Sequence, residues 1–115
     1  MPIRPLRAAL AAAALLTAFA GAAHAGQFRI NVSNFVFSPR AVNLDMGDHA
    51  VWVWTGGTHT VTSGDSTGFM SGLFNSNSVD FGGAFSFRTS TPQLIRYYCI
   101  PHAPDMAGRL IVQAS

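Results

Sequence analysis

The chain has 115 residues, a formal net charge of +2 at pH 7 and a single cysteine. One cysteine excludes an internal disulfide, and the lack of lysine or of any charge run excludes the basic stripe that nucleic acid binding needs. The length allows one small domain, with a core just large enough to fold alone.

Residues 1–25, "MPIRPLRAALAAAALLTAFAGAAHA", place Arg4 and Arg7 ahead of an apolar run from Ala8 to Ala20 and close on Ala23-His24-Ala25. That is the pattern of a secretory signal peptide cleaved after Ala25; the run is too short for a membrane-spanning anchor. The two arginines are not adjacent, which predicts Sec-type export to the periplasm or the outside rather than twin-arginine export. Without them, residues 26–115 carry five arginines against five aspartates. A balanced surface predicts little long-range steering of partners and a monomer.

Within 26–115 no stretch has helical periodicity. "QFRINV" alternates Phe28, Ile30 and Val32 with polar residues, a first strand with one buried face. "FVFSP" follows and is interrupted by Pro39. "AVNLDMGD" sets Val42 and Leu44 on one face before a turn at Gly47-Asp48. "HAVWVWT" is apolar on both faces and suits a sheet interior, with Trp52 and Trp54 as packing residues. His49 opens that strand and is read as solvated. Gly56-Gly57 turn the chain into "THTVTSG". The stretch from Ser63 to Gly83, rich in Gly, Ser, Asn and Asp, reads as a long loop with one short irregular strand or turn. "AFSFR", "LIRYYC" and "GRLIVQ" complete an all-β sandwich or barrel of about seven to eight short strands.

Strand parity puts Ile95, Tyr97 and Cys99 on one face and Arg96 and Tyr98 on the other. If the first set faces the core, the Cys99 sulfur points inward at a strand end, where loops cluster. Tyr98 then points outward, a second route for charge to leave the site.

The chemistry concentrates in "YYCIPHAPDMAG", where Cys99, His102 and Met106 form a C-x2-H-x3-M cluster. A thiolate, an imidazole and a thioether are the soft and borderline donors that together favour copper. Zinc sites rarely use methionine. One loop cannot easily complete a coordination sphere, so a further ligand is expected from elsewhere, and His59, just past the Gly56-Gly57 turn, is the natural candidate. Two histidines and a cysteine in a near-trigonal plane with a weak axial methionine make the electron-transfer type of copper site. Met70 is the rival axial donor; Met46 reads as a loop or core residue. Copper also accounts for an unpaired thiol in an exported chain, and because each ligand must lose its proton or stay neutral, affinity should fall in acid.

These segments resemble the cupredoxins, in particular small plastocyanin- and amicyanin-like type 1 blue copper proteins. "FVFSPRAVNLDMGDHAVWVW", "THTVTSG", "GFMSGLFNSNSVDFGGAFSFR" and "YYCIPHAPDMAGRLIV" are similar, in order, to four motifs of that family, and together they cover nearly all of residues 26–115. The gap from His102 to Met106 is one residue shorter than in typical plastocyanins and one longer than in amicyanins, and Asp105 stands where glycine is frequent. The resemblance implies a Greek-key cupredoxin sandwich holding one copper ion, Cu(I)/Cu(II), through His59, Cys99, His102 and Met106, with both histidines binding through Nδ1.

By the same resemblance the function is single-electron transfer between two redox proteins, docking transiently where the His102 edge emerges among Ile100, Pro101, Ala103 and Pro104. The alternative is a periplasmic copper chaperone or buffer using the same residues, although the domain is poor in exposed-segment Met and His for that role. An enzyme is not expected: a protease-like Cys–His pair needs a substrate cleft, and a copper oxidase needs a second metal centre.

Overall fold

The structure is a computed structural model that describes residues 25–114. The signal peptide expected over residues 1–25 lies, but for Ala25, outside the described residues. Nine strands and one 3-10 turn make up the described part: β1 (Gln27–Ser33), β2 (Val36–Ser38), β3 (Ala41–Asp45), β4 (His49–Trp54), β5 (Thr62–Asp65), β6 (Phe69–Asn75), β7 (Ala84–Arg88), β8 (Gln93–Tyr98), the turn η1 (Ile100–His102) and β9 (Ala107–Gln113).

The strands form two sheets, ordered β2-β1-β4-β7 and β3-β9-β8-β5-β6. β1 runs parallel to β4 and β3 parallel to β9, while the remaining pairs are antiparallel. Period-2 burial makes these strands. Ile30 and Val32, Ala50, Trp52 and Trp54, Val42 and Leu44, Ile95 and Tyr97, and Leu110 and Val112 all turn inward and form one continuous core. The two sheets meet through aromatic rings: Trp52 of β4 packs edge-on against Tyr97 of β8 at 5.2 Å between centroids, and Phe37 of β2 against the same tyrosine at 4.7 Å. Burial pushes the Tyr97 phenol up to about 12.

The expected loop over 63–83 is instead largely a hairpin, β5–β6, so the strand count exceeds the seven or eight expected. β6 is an edge strand in which Phe74 alone is buried, and it therefore lacks the alternation that marks a strand in sequence. Side chains hold it where the ladder is irregular. Ser63 Oγ donates to the Phe74 carbonyl (3.1 Å) and accepts from its N–H (2.9 Å), and Thr62 Oγ1 donates to Asn75 Oδ1 (3.1 Å). Gly64 sits at the irregularity with φ +141°, and a Cβ there would strike the Phe69 carbonyl, so the register change requires glycine. Among the described residues no helix is long and apolar enough to cross a membrane.

Candidate metal centre

The strand ends that carry Cys99, His59 and the η1 turn meet at one end of the sandwich. Cys99 directly follows β8 and is fully buried within the core cluster. Its N–H donates to the Met106 carbonyl (3.0 Å), its carbonyl accepts from His102 N–H (3.1 Å), and Met106 N–H donates to the His102 carbonyl (3.2 Å). Three backbone bonds thus close the Cys99–Met106 loop on itself and set His102 and Met106 beside Cys99. Met106 is fully buried within the core cluster that also contains Cys99. A hydrophobe would suffice at that place for packing alone; a thioether adds a weak donor.

His59 reaches the site from the segment that joins β4 to β5. A two-bond bridge to Val79 (3.1 Å each way) fixes its backbone, and the Trp54 indole N–H donates to its carbonyl (3.1 Å). Its ring is 1% exposed. Nε2 faces Asn34 Oδ1 at 3.1 Å; an amide oxygen only accepts, so the ring proton sits on Nε2 and Nδ1 is left bare. That bare Nδ1 lies 3.2 Å from His102 Nδ1 and 3.8 Å from Cys99 Sγ, and the sulfur lies 3.3 Å from His102 Nδ1. The three donor atoms fall within 4.8 Å of one another.

This donor set fits a single ion. With bonds of about 2.0–2.1 Å to nitrogen and about 2.3 Å to sulfur, three donors arranged trigonally lie about 3.5–3.8 Å apart, close to the separations observed. Lone pairs converging in a buried space are tolerable only with a proton or a cation among them. The local electrostatics suit a cation that displaces protons. Burial, and then the neighbouring His102 charge, hold His59 below the usual histidine range, against a backbone contact from Gly56. Burial pushes the Cys99 thiol up, opposed by the Thr60 and His102 backbone N–H groups and the Thr60 hydroxyl. Thr60 N–H points at the sulfur at 3.4 Å, and Thr60 Oγ1 accepts from Ile100 N–H at 2.9 Å, tying the segments that carry His59 and Cys99 together.

Sequence reasoning missed three participants. Asn34 and Phe35, the turn between β1 and β2, reach the histidines: Asn34 Oδ1 meets His59, and the Phe35 ring stands edge-on to His102 at 4.9 Å and to His59 at 6.3 Å between centroids. Phe35 holds φ +74° and is 61% exposed. Gly57, at φ +75°, is the third, because a Cβ there would strike both Asn34 Oδ1 and His59 Nε2. The only trace in sequence is the Gly56-Gly57 pair. Replacing the orienting group is expected to matter: Asn34→Ala should weaken copper binding by about 10–100-fold. Copper titration against a competing chelator measures it. The apo melting temperature should barely move, since Asn34 is exposed.

Other expectations divide. Trp52 and Trp54 pack in the core, and Trp54 also anchors His59. Met70 is 55% exposed on edge strand β6 and Met46 is 40% exposed, so neither belongs to the buried cluster. His49 is half-buried at the start of β4, the end opposite Trp54 and the site. Tyr98 is a correction: it is 2% exposed, flanked by Thr62 of β5 and Ala107 of β9, and offers no outward route.

Known proteins place this geometry. The family described as copper binding proteins, plastocyanin/azurin family, matches residues 24–113. The chain is 36% identical over 86 residues to a halocyanin from Natronomonas pharaonis, a match that takes in 70% of this chain and 50% of that protein, so the chain spans about half the length of this relative. In three dimensions it is similar to a purple cupredoxin from Nitrosopumilus maritimus (TM-score 0.68, 23% identity, 75% of this chain and 99% of that one). It is also similar to a reduced amicyanin variant (TM-score 0.65, 17% identity, 76% and 83%). At those identities the structures speak for the fold alone, and they agree with the two-sheet sandwich described above. The family match spans nearly every described residue and includes all the donors at the loop end, and the chain therefore belongs to the plastocyanin/azurin family of copper-binding proteins.

Proposed function

We propose that this domain is an exported type 1 copper electron carrier in which His59 Nδ1, Cys99 Sγ and His102 Nδ1 hold the ion and Met106 supplies a weak axial thioether. The observation that carries the reading is the convergence of those two nitrogens and one sulfur within 4.8 Å on a framework already fixed by backbone bonds. Bound copper would supply a one-electron couple between Cu(I) and Cu(II).

The chain's own residues do the rest. Asn34 holds the proton on His59 Nε2, so that Nδ1 stays free to bind. The His59–Val79 bridge, the Trp54 anchor and the closed Cys99–Met106 loop resist movement of the donors, which keeps rearrangement small when an electron arrives or leaves. Burial of Cys99 keeps water and oxidants from the sulfur. This pre-set donor geometry favours a carrier over a copper chaperone, which must open to release its ion.

His102 is only partly buried, and around it Ile100, Pro101, Ala103 and Pro104 form an uncharged rim, with Ile100 44% exposed. Phe35 extends that rim. Redox partners would dock there transiently, over less than about 1,200 Å² in total. The leader-like residues 1–25 would deliver the domain to the periplasm, and the intact mass of exported protein, expected to begin at Gly26, tests that cleavage.

The reading predicts an intense visible thiolate-to-copper band, a narrow copper hyperfine splitting in the EPR spectrum and a reversible one-electron wave. Rapid loss of copper to a weak chelator without such a wave would favour the chaperone reading. Met106→Leu should keep the colour and raise the potential, because a donor that favours Cu(II) is lost while the side-chain volume is nearly conserved. An unchanged potential would remove Met106 from the ligand set.

A further inference from the structure

The balanced net charge conceals an uneven surface. Arg40, Arg96 and Arg109, three of the five arginines in residues 26–115, line one open hollow of about 240 Å³ whose other walls are Ser66, Pro104, Ala107 and Gly108. Arg96 of β8 and Arg109 of β9 stand directly opposite each other across the ladder, and Arg109 N–H donates to the Arg40 carbonyl at 2.8 Å. Like charges at directly opposed positions cost stability, and none of the three guanidiniums forms a salt bridge among the described residues. Two acids, Asp65 and Asp105, flank the hollow, next in sequence to its Ser66 and Pro104 walls. Asp65 feels the Arg96 charge but is held first by Thr67, and Asp105 lies exposed on the ligand loop. Three exposed guanidiniums therefore keep their forked donors for an outside acceptor.

The hollow adjoins the metal centre. Pro104 belongs both to its wall and to the apolar rim around His102, Ala107 follows Met106, and Arg96 lies three residues from Cys99 along β8, roughly 10 Å of strand. Guanidinium geometry matches carboxylates in a bidentate fashion. We propose that the Arg40–Arg96–Arg109 hollow is a docking flank for a carboxylate-rich surface of a redox protein, which turns the apolar rim and the His102 edge toward the partner's own centre. This assignment rests on the electron-carrier reading and names the chemistry of one partner. On this proposal steering contributes more than the net charge alone implies.

Decaglutamate serves as the carboxylate probe, titrated into the reduced, copper-loaded chain while backbone amide resonances are followed. Shifts are expected at Arg40, Arg96, Ala107 and Arg109, and the combined Arg40→Gln, Arg96→Gln, Arg109→Gln variant should bind about tenfold more weakly. Decaglutamate should also slow oxidation of the reduced site by the anion hexacyanoferrate(III), which takes one electron and becomes hexacyanoferrate(II). It should not slow oxidation by the cation tris(phenanthroline)cobalt(III). Shifts confined to other surfaces, equal binding by the triple variant, or equal slowing of both oxidants would overturn the proposal. The single variants Arg96→Gln and Arg109→Gln, each exposed, answer the same question should the triple variant fold poorly. A missing one-electron wave with patch-dependent decaglutamate binding intact would be distinct: it would sink the carrier reading and, with it, the redox identity of this partner.

Discussion

Cys99→Ser is expected to abolish the intense visible absorption of the copper-loaded protein while leaving the apo fold standing. The sulfur is the only soft anionic donor in the cluster, and a serine hydroxyl holds its proton at any ordinary pH and offers no low-energy charge transfer to copper. Loss of a direct ligand should weaken copper binding by more than the roughly 10–100-fold typical for an outer hydrogen-bond partner. The scaffold should tolerate the change. Thr60 N–H already points at this position at 3.4 Å and can donate to an oxygen instead, and the Cys99 backbone bonds to Met106 and His102 do not depend on the side chain. The apo unfolding free energy should change by no more than about 1–2 kcal/mol. Absorbance of the copper-loaded variant and circular dichroism of the apo form read the two effects separately. A variant that stays blue removes Cys99 Sγ from the ligand set.

The residues of the proposed site were largely legible in the chain, because each is a chemically rare side chain in a short motif. Cys99, His102 and Met106 announce themselves by type and spacing, and strand parity alone pointed the sulfur inward. His59 was legible only as the histidine that the loop lacked. The partners that orient these groups were not legible. Asn34 and Phe35 are common residues at a turn, and nothing in one dimension brings that turn to two histidines from distant parts of the chain. The arginine hollow failed for the same reason: Arg40, Arg96 and Arg109 are isolated in sequence and adjacent only once β3, β9 and β8 are neighbours in the second sheet. Tyr98 failed differently. Parity fixes which face a side chain leaves by, but burial also depends on what covers that face, and here Tyr98 is covered while Arg96, on the same face, stays exposed. β6 was missed because an exposed edge strand held by Ser63 and Thr62 side chains needs no apolar alternation.

Trp52→Ala should be the mirror image of Cys99→Ser, lowering stability severely while sparing the ligands. Trp52 is fully buried and meets Tyr97 at 5.2 Å, Phe74 at 5.5 Å and Phe85 at 5.8 Å, so one ring joins β4 to β8, β6 and β7 across both sheets. Truncating such a residue costs about 3–5 kcal/mol, a large part of the roughly 5–15 kcal/mol that a whole domain has. In a domain of this size each kcal/mol corresponds to about 4–8 °C, so the apo melting temperature should fall by about 12–40 °C. Trp52→Phe should cost less than its lost volume suggests, because it also removes an indole N–H that has no hydrogen-bond partner in the core. Copper binding to the folded state alone adds about 2.7 kcal/mol when free copper stands at 100 times its dissociation constant. The copper-loaded Trp52→Ala protein should therefore regain much of the loss and keep its colour, since no ligand has changed. Melting curves of apo and loaded protein, read beside the visible spectrum, decide the matter. A Trp52→Ala protein that melts with the unsubstituted chain would show that the aromatic stack does not join the sheets. One that folds but cannot become blue would show that the Trp52–Tyr97 contact, two residues from Cys99 on the same strand face, also sets the position of the sulfur.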